Sequence, residues 1–337
     1  ANQGIVGKTV RTGKCQIVRD VSTDPNFATS VDQGTGFVTR SILCVPLIAN
    51  HRVIGAIELI NKRTGDGLFN DSDRNLVLTL AASAALAINN ARMAAQLVEK
   101  KRLEKELELA REIQNNLLPP DLGASFPIAG VNVPAWTVSG DFYDYMPLPD
   151  GRIYFNLADV SGKGMNAALL MAKTSSLLRC LAKSADDAGD LLTRVNEELC
   201  ETASHGMFVT IISGYFNVET KEISVSNAGH PPALFFAADG TVTEIAAGAP
   251  PLGIASGVIF PTRRFSLNEG HLCLFTDGVS ESMTPSGRQL EIEGLANLLR
   301  EVAHLPVREQ LDAIVEQVVC DSAKQHDDVT LMIVGNG

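Results

Sequence analysis

The feature that most constrains the fold is the stretch 73–118, which contains neither proline nor glycine. Apolar residues and alanines recur along it at intervals of three and four residues, the spacing of one helix face. Pro119-Pro120 follows and stops the helix, because proline cannot continue a helical ladder. The pattern predicts a single helix of about 45 residues, which would extend about 68 Å at 1.5 Å per residue. The chain is therefore divided into a segment before this helix and a segment after it.

The apolar stripe of the helix becomes narrow where the sequence is most charged, over 96–112. A narrow stripe flanked by charges is typical of a two-stranded coiled coil and predicts a parallel homodimer through residues 76–118. The alternative, a helix that lies on its own domain, fits residues 76–92 but not the charged stretch. The flanking charged residues are Glu99, Lys100, Glu104 and Lys105.

Composition limits the class of protein. A chain of 337 residues with 45% apolar residues is expected to form two or three folded units. Its longest apolar run, at 76–88, is shorter than the roughly 20 residues of a membrane helix, and no signal peptide is recognised at the N-terminus. The six cysteines have no C-x-x-C spacing, as expected of buried thiols in a reducing compartment. We therefore expect a soluble cytoplasmic protein without a membrane segment.

The negative charge of the chain is concentrated in residues 121–337, which hold 13 Lys and Arg against 27 Asp and Glu, a net charge of −14. Nucleic-acid binding needs clustered Lys and Arg, so this surface argues against a nucleic-acid partner. It is compatible with carboxylates that hold divalent cations.

Turn signals on both sides of the long helix indicate sheets. In the first segment, Ala49 to Arg52 separate two alternating apolar runs, as in a hairpin, and the sequence opens as if in mid-domain. In the second, hairpin turns at 219–221 and 239–240 predict an antiparallel α+β domain rather than a doubly wound one. The helices expected in this domain cover 164–183, 187–203, 290–303 and 306–324.

Four aspartates lie at the ends of β-like runs, namely Asp141, Asp159, Asp277 and Asp327. Hard divalent cations prefer oxygen ligands, and two ions about 3.5 to 4 Å apart can share a carboxylate. The spacing excludes an EF-hand, so only a fold that gathers distant strand ends could assemble such a site. Taken alone, Asp277 followed by glycine is as well explained by a simple turn. A P-loop over 157–173 is excluded, because Lys163 is followed by glycine instead of Ser or Thr.

Six motifs in order make the second segment recognisable: AREIQNNLLP, SGDFYDY, ADVSGKGMNAALLMA, NAGHPP, FTDGVSE and DDVTLM. Over residues 110–335 the chain resembles the bacterial PPM-type serine/threonine phosphatases of the RsbU and SpoIIE kind. The resemblance implies a layered α-β-β-α sandwich, an enzyme that hydrolyses phosphoserine or phosphothreonine, and two Mn²⁺ or Mg²⁺ ions that activate a water molecule.

The resemblance also implies roles for individual residues. Asp159 and the carbonyl of Val160 would bind the first metal ion, with Asp159 bridging to a second ion held by Asp277 and Asp327. Asp141 would contribute to the cluster largely through water. Asp328 is included among the metal ligands, Asp144 is a nearby acid without an assigned role, and Lys163 is expected to be a surface residue. Related eukaryotic phosphatases carry a phosphate-binding arginine about five residues before the first aspartate, where this chain has Trp136.

The histidines leave two interpretations open. His230 could be a general acid for the leaving serine oxygen, or a turn histidine hydrogen-bonded to backbone, and the second is favoured. Zinc is not expected, because the other histidines lack a partner at i+4 and a neighbouring cysteine. The histidines considered for zinc are His205, His271, His304 and His326.

The first segment resembles the C-terminal half of a GAF sensor domain, an α/β domain, through GIVGKTVRTGK, DVSTDPNF, TGFVTRSILCVPL and VIGAIELINK. Four residues fit the pattern of cyclic-nucleotide-binding members, but Arg74 replaces its final acid, which argues against a nucleotide ligand. The four are Asn61, Lys62, Phe69 and Asp73. The predicted domains are a partial GAF domain at 1–75, a coiled-coil linker at 76–120 and a PPM-type domain at 121–337.

The sequence thus predicts a phosphatase controlled by its GAF domain. The substrate implied by the resemblance is a phosphorylated STAS-type anti-sigma-factor antagonist. The last turns of the long helix before Pro119 are expected to pack on the catalytic domain of this chain and to transmit the state of the GAF sensor. The alternative is a non-catalytic scaffold that docks such a partner, and its signature would be the loss of a core aspartate, of which none is lost. A kinase or cyclase is disfavoured because nucleotide motifs are absent.

Overall fold

A computed structural model of the chain describes residues 4–27, 36–202, 206–284, 287–320 and 327–335. The chain divides into two compact units, Ala1–Glu104 and Lys105–Gly337.

The first unit contains a small antiparallel sheet with the strand order β1-β2-β3. Asn50 and His51 have φ angles of 48° and 61° in the β2–β3 turn, which confirms the hairpin predicted there. The sheet buries Leu43 and Val45 completely. The elements are α1 (Gly4–Thr12), β1 (Gln16–Val18), a 3₁₀ turn (Val21–Thr23), β2 (Ile42–Ala49) and β3 (Arg52–Ile60).

The long helix, α2, covers Asp71–Asn115 and confirms the prediction from the proline-free and glycine-free stretch. Asn70 and Asp73 cap its start reciprocally, because the side chain of each accepts a hydrogen bond from the backbone N–H of the other. Val77, Ala81 and Ala85 are buried in the apolar cluster of the first unit.

Within the described residues, α2 is also the one helix long and apolar enough, by length and composition alone, to cross a membrane, which the sequence analysis had not expected. Its apolar third is rich in alanine and contributes three residues to the core of the first unit. Only 17% of this apolar window is buried in the structure.

The residues that fit the nucleotide-binding pattern hold the first unit together. The Asn61 side chain accepts from the backbone N–H of Arg40 at 2.6 Å and donates to the Val38 carbonyl at 2.8 Å. Lys62 forms an ion pair with Asp73 at 2.7 Å. Asn61, Lys62 and Asp73 therefore have structural contacts within the first unit.

The second unit contains two five-stranded sheets in which every pairing between neighbouring strands is antiparallel. One sheet, ordered β10-β9-β12-β13-β4, comprises β4 (Ile128–Val133), β9 (Ala233–Phe236), β10 (Val242–Ile245), β12 (His271–Phe275) and β13 (Val329–Val334). The other, ordered β11-β8-β7-β6-β5, comprises β5 (Phe142–Pro147), β6 (Arg152–Val160), β7 (Val209–Asn217), β8 (Glu222–Ala228) and β11 (Arg263–Ser266).

Helices cover the outer faces of the two sheets. Phe155 and Ile212 of one sheet share a buried cluster with Leu274 and Met332 of the other, so the sheets pack face to face. The order of layers is α-β-β-α, as predicted. The helices are α3 (Met165–Leu181), α4 (Ala188–Thr202), the short α5 (Asp277–Ser280), α6 (Glu291–Val302) and α7 (Val307–Cys320). The four longer ones start and end within two residues of the predicted bounds, except that the predicted extension of the last to residue 324 lies outside the described residues.

Candidate active site

The four predicted strand-end aspartates lie at one end of the sandwich. Asp141 immediately precedes β5 and Asp159 is the penultimate residue of β6, and these strands are antiparallel with Phe142 opposite Ala158. Asp277 follows β12 and Asp327 precedes β13, which are antiparallel with Phe275 opposite Leu331. In each antiparallel pair, the start of one strand lies beside the end of the other. We call Asp141, Asp159, Asp277 and Asp327 the acidic cluster.

Asp141 connects the two sheets. Its carboxylate is buried, and its Oδ2 accepts hydrogen bonds from the hydroxyls of Thr276 and Thr330, each at 2.7 Å. Burial and then the neighbouring charge of Asp159 raise the pKa of Asp141 well above its ordinary value, although the two hydroxyls act in the opposite direction. The carboxyl group is therefore held in place at a substantial electrostatic cost.

The other acids repel one another as well. Burial, followed by the charge of Asp277, raises the pKa of Asp159 to about 6. Burial and the charge of Asp327 raise the pKa of Asp277. Carboxylates gathered in this way are stabilised by a positive charge between them, and their oxygen atoms are the ligands that Mg²⁺ and Mn²⁺ prefer. The donor set therefore fits divalent cations.

The side chains are not yet arranged as a closed coordination sphere. Within the described ranges, no three His, Cys, Asp or Glu side chains converge on one point in a metal-binding arrangement. Asp141 directs one oxygen to the two threonines, and Asp327 Oδ2 lies 3.0 Å from Lys163 Nζ. The chemistry of the donors and their common location support a metal site, and the ligand assignments remain a prediction.

Asp328, also predicted as a ligand, uses both carboxylate oxygens to hold the loop before Asp141. Its Oδ1 accepts from the backbone N–H of Ala135 at 2.8 Å. Its Oδ2 accepts from the Ser139 hydroxyl at 2.6 Å and from the Gly140 N–H at 3.0 Å. In this arrangement Asp328 positions the loop that carries Asp141.

The Gly140 backbone packs closely against the Val160 carbonyl, which is predicted to be a metal ligand. A Cβ atom at Gly140 would lie 3.1 Å from the Val160 carbonyl oxygen and 3.7 Å from Asp159 Oδ1. The glycine of the SGD motif thus allows the loop to lie against the end of β6.

The family comparison agrees with this geometry. A profile described as stage II sporulation protein E (SpoIIE) matches residues 149–336, which is more than half of the chain. The chain belongs to the SpoIIE family of PPM-type serine/threonine phosphatases. A GAF domain profile matches residues 1–89. The resemblance inferred from the sequence motifs is therefore confirmed for both parts of the chain.

Individual relatives support the same assignment. Phosphoserine phosphatase RsbU of Bacillus subtilis is 27% identical over 70% of this chain and 71% of its own length. Protein IcfG of Synechocystis is 28% identical over 68% of this chain, which spans only 41% of IcfG. The SiaA-PP2C domain of Pseudomonas aeruginosa superposes with a TM-score of 0.62 at 20% identity, covering 70% of this chain and 98% of that domain, and so supports the fold.

His230 is buried within the SpoIIE-family domain, with only 3% of its surface exposed. Its Nε2 lies 3.1 Å from the Phe275 carbonyl oxygen and its Nδ1 lies 3.0 Å from the Thr210 hydroxyl. A carbonyl can only accept, so the neutral ring carries its proton on Nε2 and accepts at Nδ1. Burial lowers the pKa of His230 to about 3. These contacts favour the interpretation as a structural histidine.

Two further predicted residues have structural partners. Asp144 is buried and forms a bidentate pair with Arg179 at 2.7 and 2.8 Å, yet burial still raises its pKa. His271 contacts the Gln310 side chain at 3.2 Å. His205 and His326, considered earlier for zinc, lie outside the described residues.

Other residues that the sequence pattern does not identify support the acids of the SpoIIE-family site. Thr276 and Thr330 occur in the quoted motifs, but nothing local indicates that both hydroxyls reach Asp141. Gln114 was also missed. Its Nε2 donates to the Ser139 carbonyl at 2.9 Å, and its Oε1 accepts from the Ser139 N–H at 3.1 Å. Gln114 lies near the end of a polar helix. Its burial would have identified it, but burial is not visible in the sequence.

Proposed function

We propose that this protein is a metal-dependent phosphatase that removes phosphate from serine or threonine of a regulatory protein. The observation that carries the proposal is the meeting of four carboxylates, from both sheets, at one end of a SpoIIE-family sandwich. Burial and the charges of neighbouring acids raise the pKa values of Asp141, Asp159 and Asp277, which supports this grouping.

Asp159, the Val160 carbonyl, Asp277 and Asp327 would hold two Mn²⁺ or Mg²⁺ ions. When bound, the ions would supply Lewis-acid stabilisation of the phosphoryl group and an activated water molecule. The protein supplies position: two threonine hydroxyls fix Asp141, and Asp328 fixes the preceding loop.

For the substrate we propose a small phosphoserine protein, a STAS-type anti-sigma-factor antagonist. The support is similarity to RsbU, which is named a phosphoserine phosphatase. The acidic catalytic segment favours a substrate surface that is not itself strongly acidic. The alternative of a non-catalytic scaffold is disfavoured, because all four acids of the cluster are retained. A cytoplasmic location is part of the proposal.

The test is hydrolysis of a phosphoserine peptide with and without Mn²⁺. We expect turnover that depends on metal and is lost in Asp159→Asn. Because the pKa of Asp159 is raised by burial and its acidic neighbours, removing its charge should raise the melting temperature of the metal-free protein. The matched control is Asp150→Asn, in the exposed turn before β6. Lack of turnover by the wild type, or full activity in Asp159→Asn, would contradict the proposed phosphatase function.

We further propose that the GAF domain controls the site through α2. The bidentate contact between Gln114 and Ser139 supports this, because Ser139 is two residues from Asp141 and bonded to Asp328. Inserting one or two residues near Lys101 rotates the helix by about 100° per residue. We expect the phosphatase rate to vary with the phase of the insertion, and a constant rate would leave α2 as a tether.

A further inference from the structure

We propose that Lys163 is the phosphate-binding cation of this site: it pairs with Asp327 while no metal is bound and contacts the substrate phosphoryl group once a metal ion replaces it there. The inference rests on the proposed phosphatase function. The sequence predicts only that Lys163 lies on the surface. Trp136 stands near the position of the phosphate-binding arginine of the eukaryotic phosphatases, so another cation is needed to bind the phosphate.

The position of Lys163 is fixed by the loop between β6 and α3. Gly162 and Gly164, on either side of it, have φ angles of 94° and 79°, which side chains with a Cβ rarely adopt. The Ser161 hydroxyl accepts from the Phe208 N–H at 2.8 Å and anchors the start of the loop. Lys163 is therefore held at the tip of a defined turn, four residues after Asp159.

The side chain reaches across to the other sheet. Its Nζ lies 3.0 Å from Asp327 Oδ2, although 61% of the Lys163 side chain and 46% of the Asp327 side chain are exposed. Asp327, and at longer range Asp328 and Asp277, raise the pKa of Lys163. This ion pair places a lysine against the acidic cluster.

A divalent cation at Asp327 would compete directly with this ammonium group. The Lys163–Asp327 ion pair is exposed and therefore weak, so its replacement by a metal ion costs little free energy. The released ammonium, on its flexible four-carbon stem, would remain beside the metal position.

The surroundings of the released ammonium suit an anion. The helix α3 begins immediately after Gly164, which has no side chain to cap the free N–H groups of the first turn. A helix start and a lysine together attract a phosphoryl group, because both present positive charge. A substrate phosphoryl group held at the acidic cluster would be attracted by both.

The test compares the full chain with Lys163→Met, which keeps the stem but removes the charge, and Lys163→Arg, which keeps the charge. Lys183→Met, an exposed lysine in the turn after α3, is the control for general loss of charge. Two quantities are measured: Mn²⁺ affinity by calorimetry on the metal-free protein, and the affinity of the Mn²⁺-loaded protein for inorganic phosphate. The KM for a phosphopeptide is a third readout.

We expect Lys163→Met to bind phosphate and phosphopeptide about tenfold more weakly, as after loss of one charge-assisted hydrogen bond. It should bind Mn²⁺ between about 1.4-fold and fivefold more tightly, because an exposed competing ion pair has been removed. Lys163→Arg should bind phosphate nearly as the wild type does, and Lys183→Met should change neither affinity.

Unchanged phosphate affinity in Lys163→Met, or weaker Mn²⁺ binding, would overturn the proposal. A purely structural ion pair would give a lower melting temperature with no effect on phosphate. If the wild type binds Mn²⁺ and phosphate but hydrolyses no phosphopeptide, the proposed function fails while these binding measurements still decide the role of Lys163.

Discussion

Replacing His230 by glutamine should remove a pH-dependent loss of stability. The folded protein holds His230 neutral with a pKa of about 3, whereas an unfolded histidine titrates near 6.5. Below pH 6.5 the unfolded chain therefore binds a proton that the folded chain does not, and stability falls as the pH decreases toward 3. Between pH 7.5 and 5.0, this difference amounts to about 2 kcal/mol of unfolding free energy.

The assay is urea unfolding of the metal-free wild type and His230→Gln at both pH values. Glutamine has no titrating group, and its amide can still donate to the Phe275 carbonyl. The acidic cluster also titrates, with the opposite sign, but it is present in both proteins, so the difference between them reports His230. We expect the wild type to lose about 2 kcal/mol more than the variant on going to pH 5.0. An equal loss in both proteins would refute the reasoning.

The same variant separates the two interpretations of His230. A general acid contributes about 10² to 10⁴ to the rate. A structural histidine whose hydrogen bond to Phe275 is retained by glutamine should cost less than tenfold in kcat. A roughly 100-fold or greater loss of kcat in His230→Gln, at unchanged Mn²⁺ affinity, would support the interpretation of His230 as a general acid.

Three other predictions concern the coiled-coil linker, the metal site and the exposed Trp136. Changing Leu97 and Leu107 together to glutamate should reduce the mass measured by light scattering from twice the 36.0 kDa chain mass to one chain, and an unchanged mass would reject this interface. Gly140→Ala should weaken Mn²⁺ binding in calorimetry, because its Cβ would press on the Val160 carbonyl; unaltered affinity would remove Val160 from the ligand set. Trp136→Ala should raise the KM for a phosphoprotein but not for p-nitrophenyl phosphate, because 69% of Trp136 is exposed beside the loop held by Asp328, and equal effects on both would contradict a docking role.

Local sequence signals were sufficient for most secondary structure. The α2 helix followed from the absence of proline and glycine, and the turn at Asn50 and His51 followed from the polar break between two apolar runs. These features depend on neighbours a few residues apart. The four acids were identified from their positions at strand ends, and the motif resemblance supplied the expectation that these strand ends meet.

The contacts that hold the acids could not be predicted, because they join residues far apart in the chain. Thr330 reaches Asp141 across 189 positions, and Lys163 reaches Asp327 across 164. Hydrophobic periodicity assigns a residue to a face of its own strand, but it does not indicate which side chain of the facing sheet lies opposite. Lys163 is exposed, as predicted, but its ion pair with Asp327 was not predicted.

Ser139 is the point at which the helix end and the acidic cluster meet. Its backbone is bonded on both sides to Gln114, its hydroxyl donates to Asp328, and the Asp141 N–H donates back to that hydroxyl at 3.0 Å. A displacement of Gln114 would therefore move the loop that orients Asp141. The coupling must also act in reverse, because an effect of helix position on metal affinity requires an equal effect of metal on helix position. If the GAF domain regulates this enzyme through α2, metal binding will in turn stabilise the last turn of that helix.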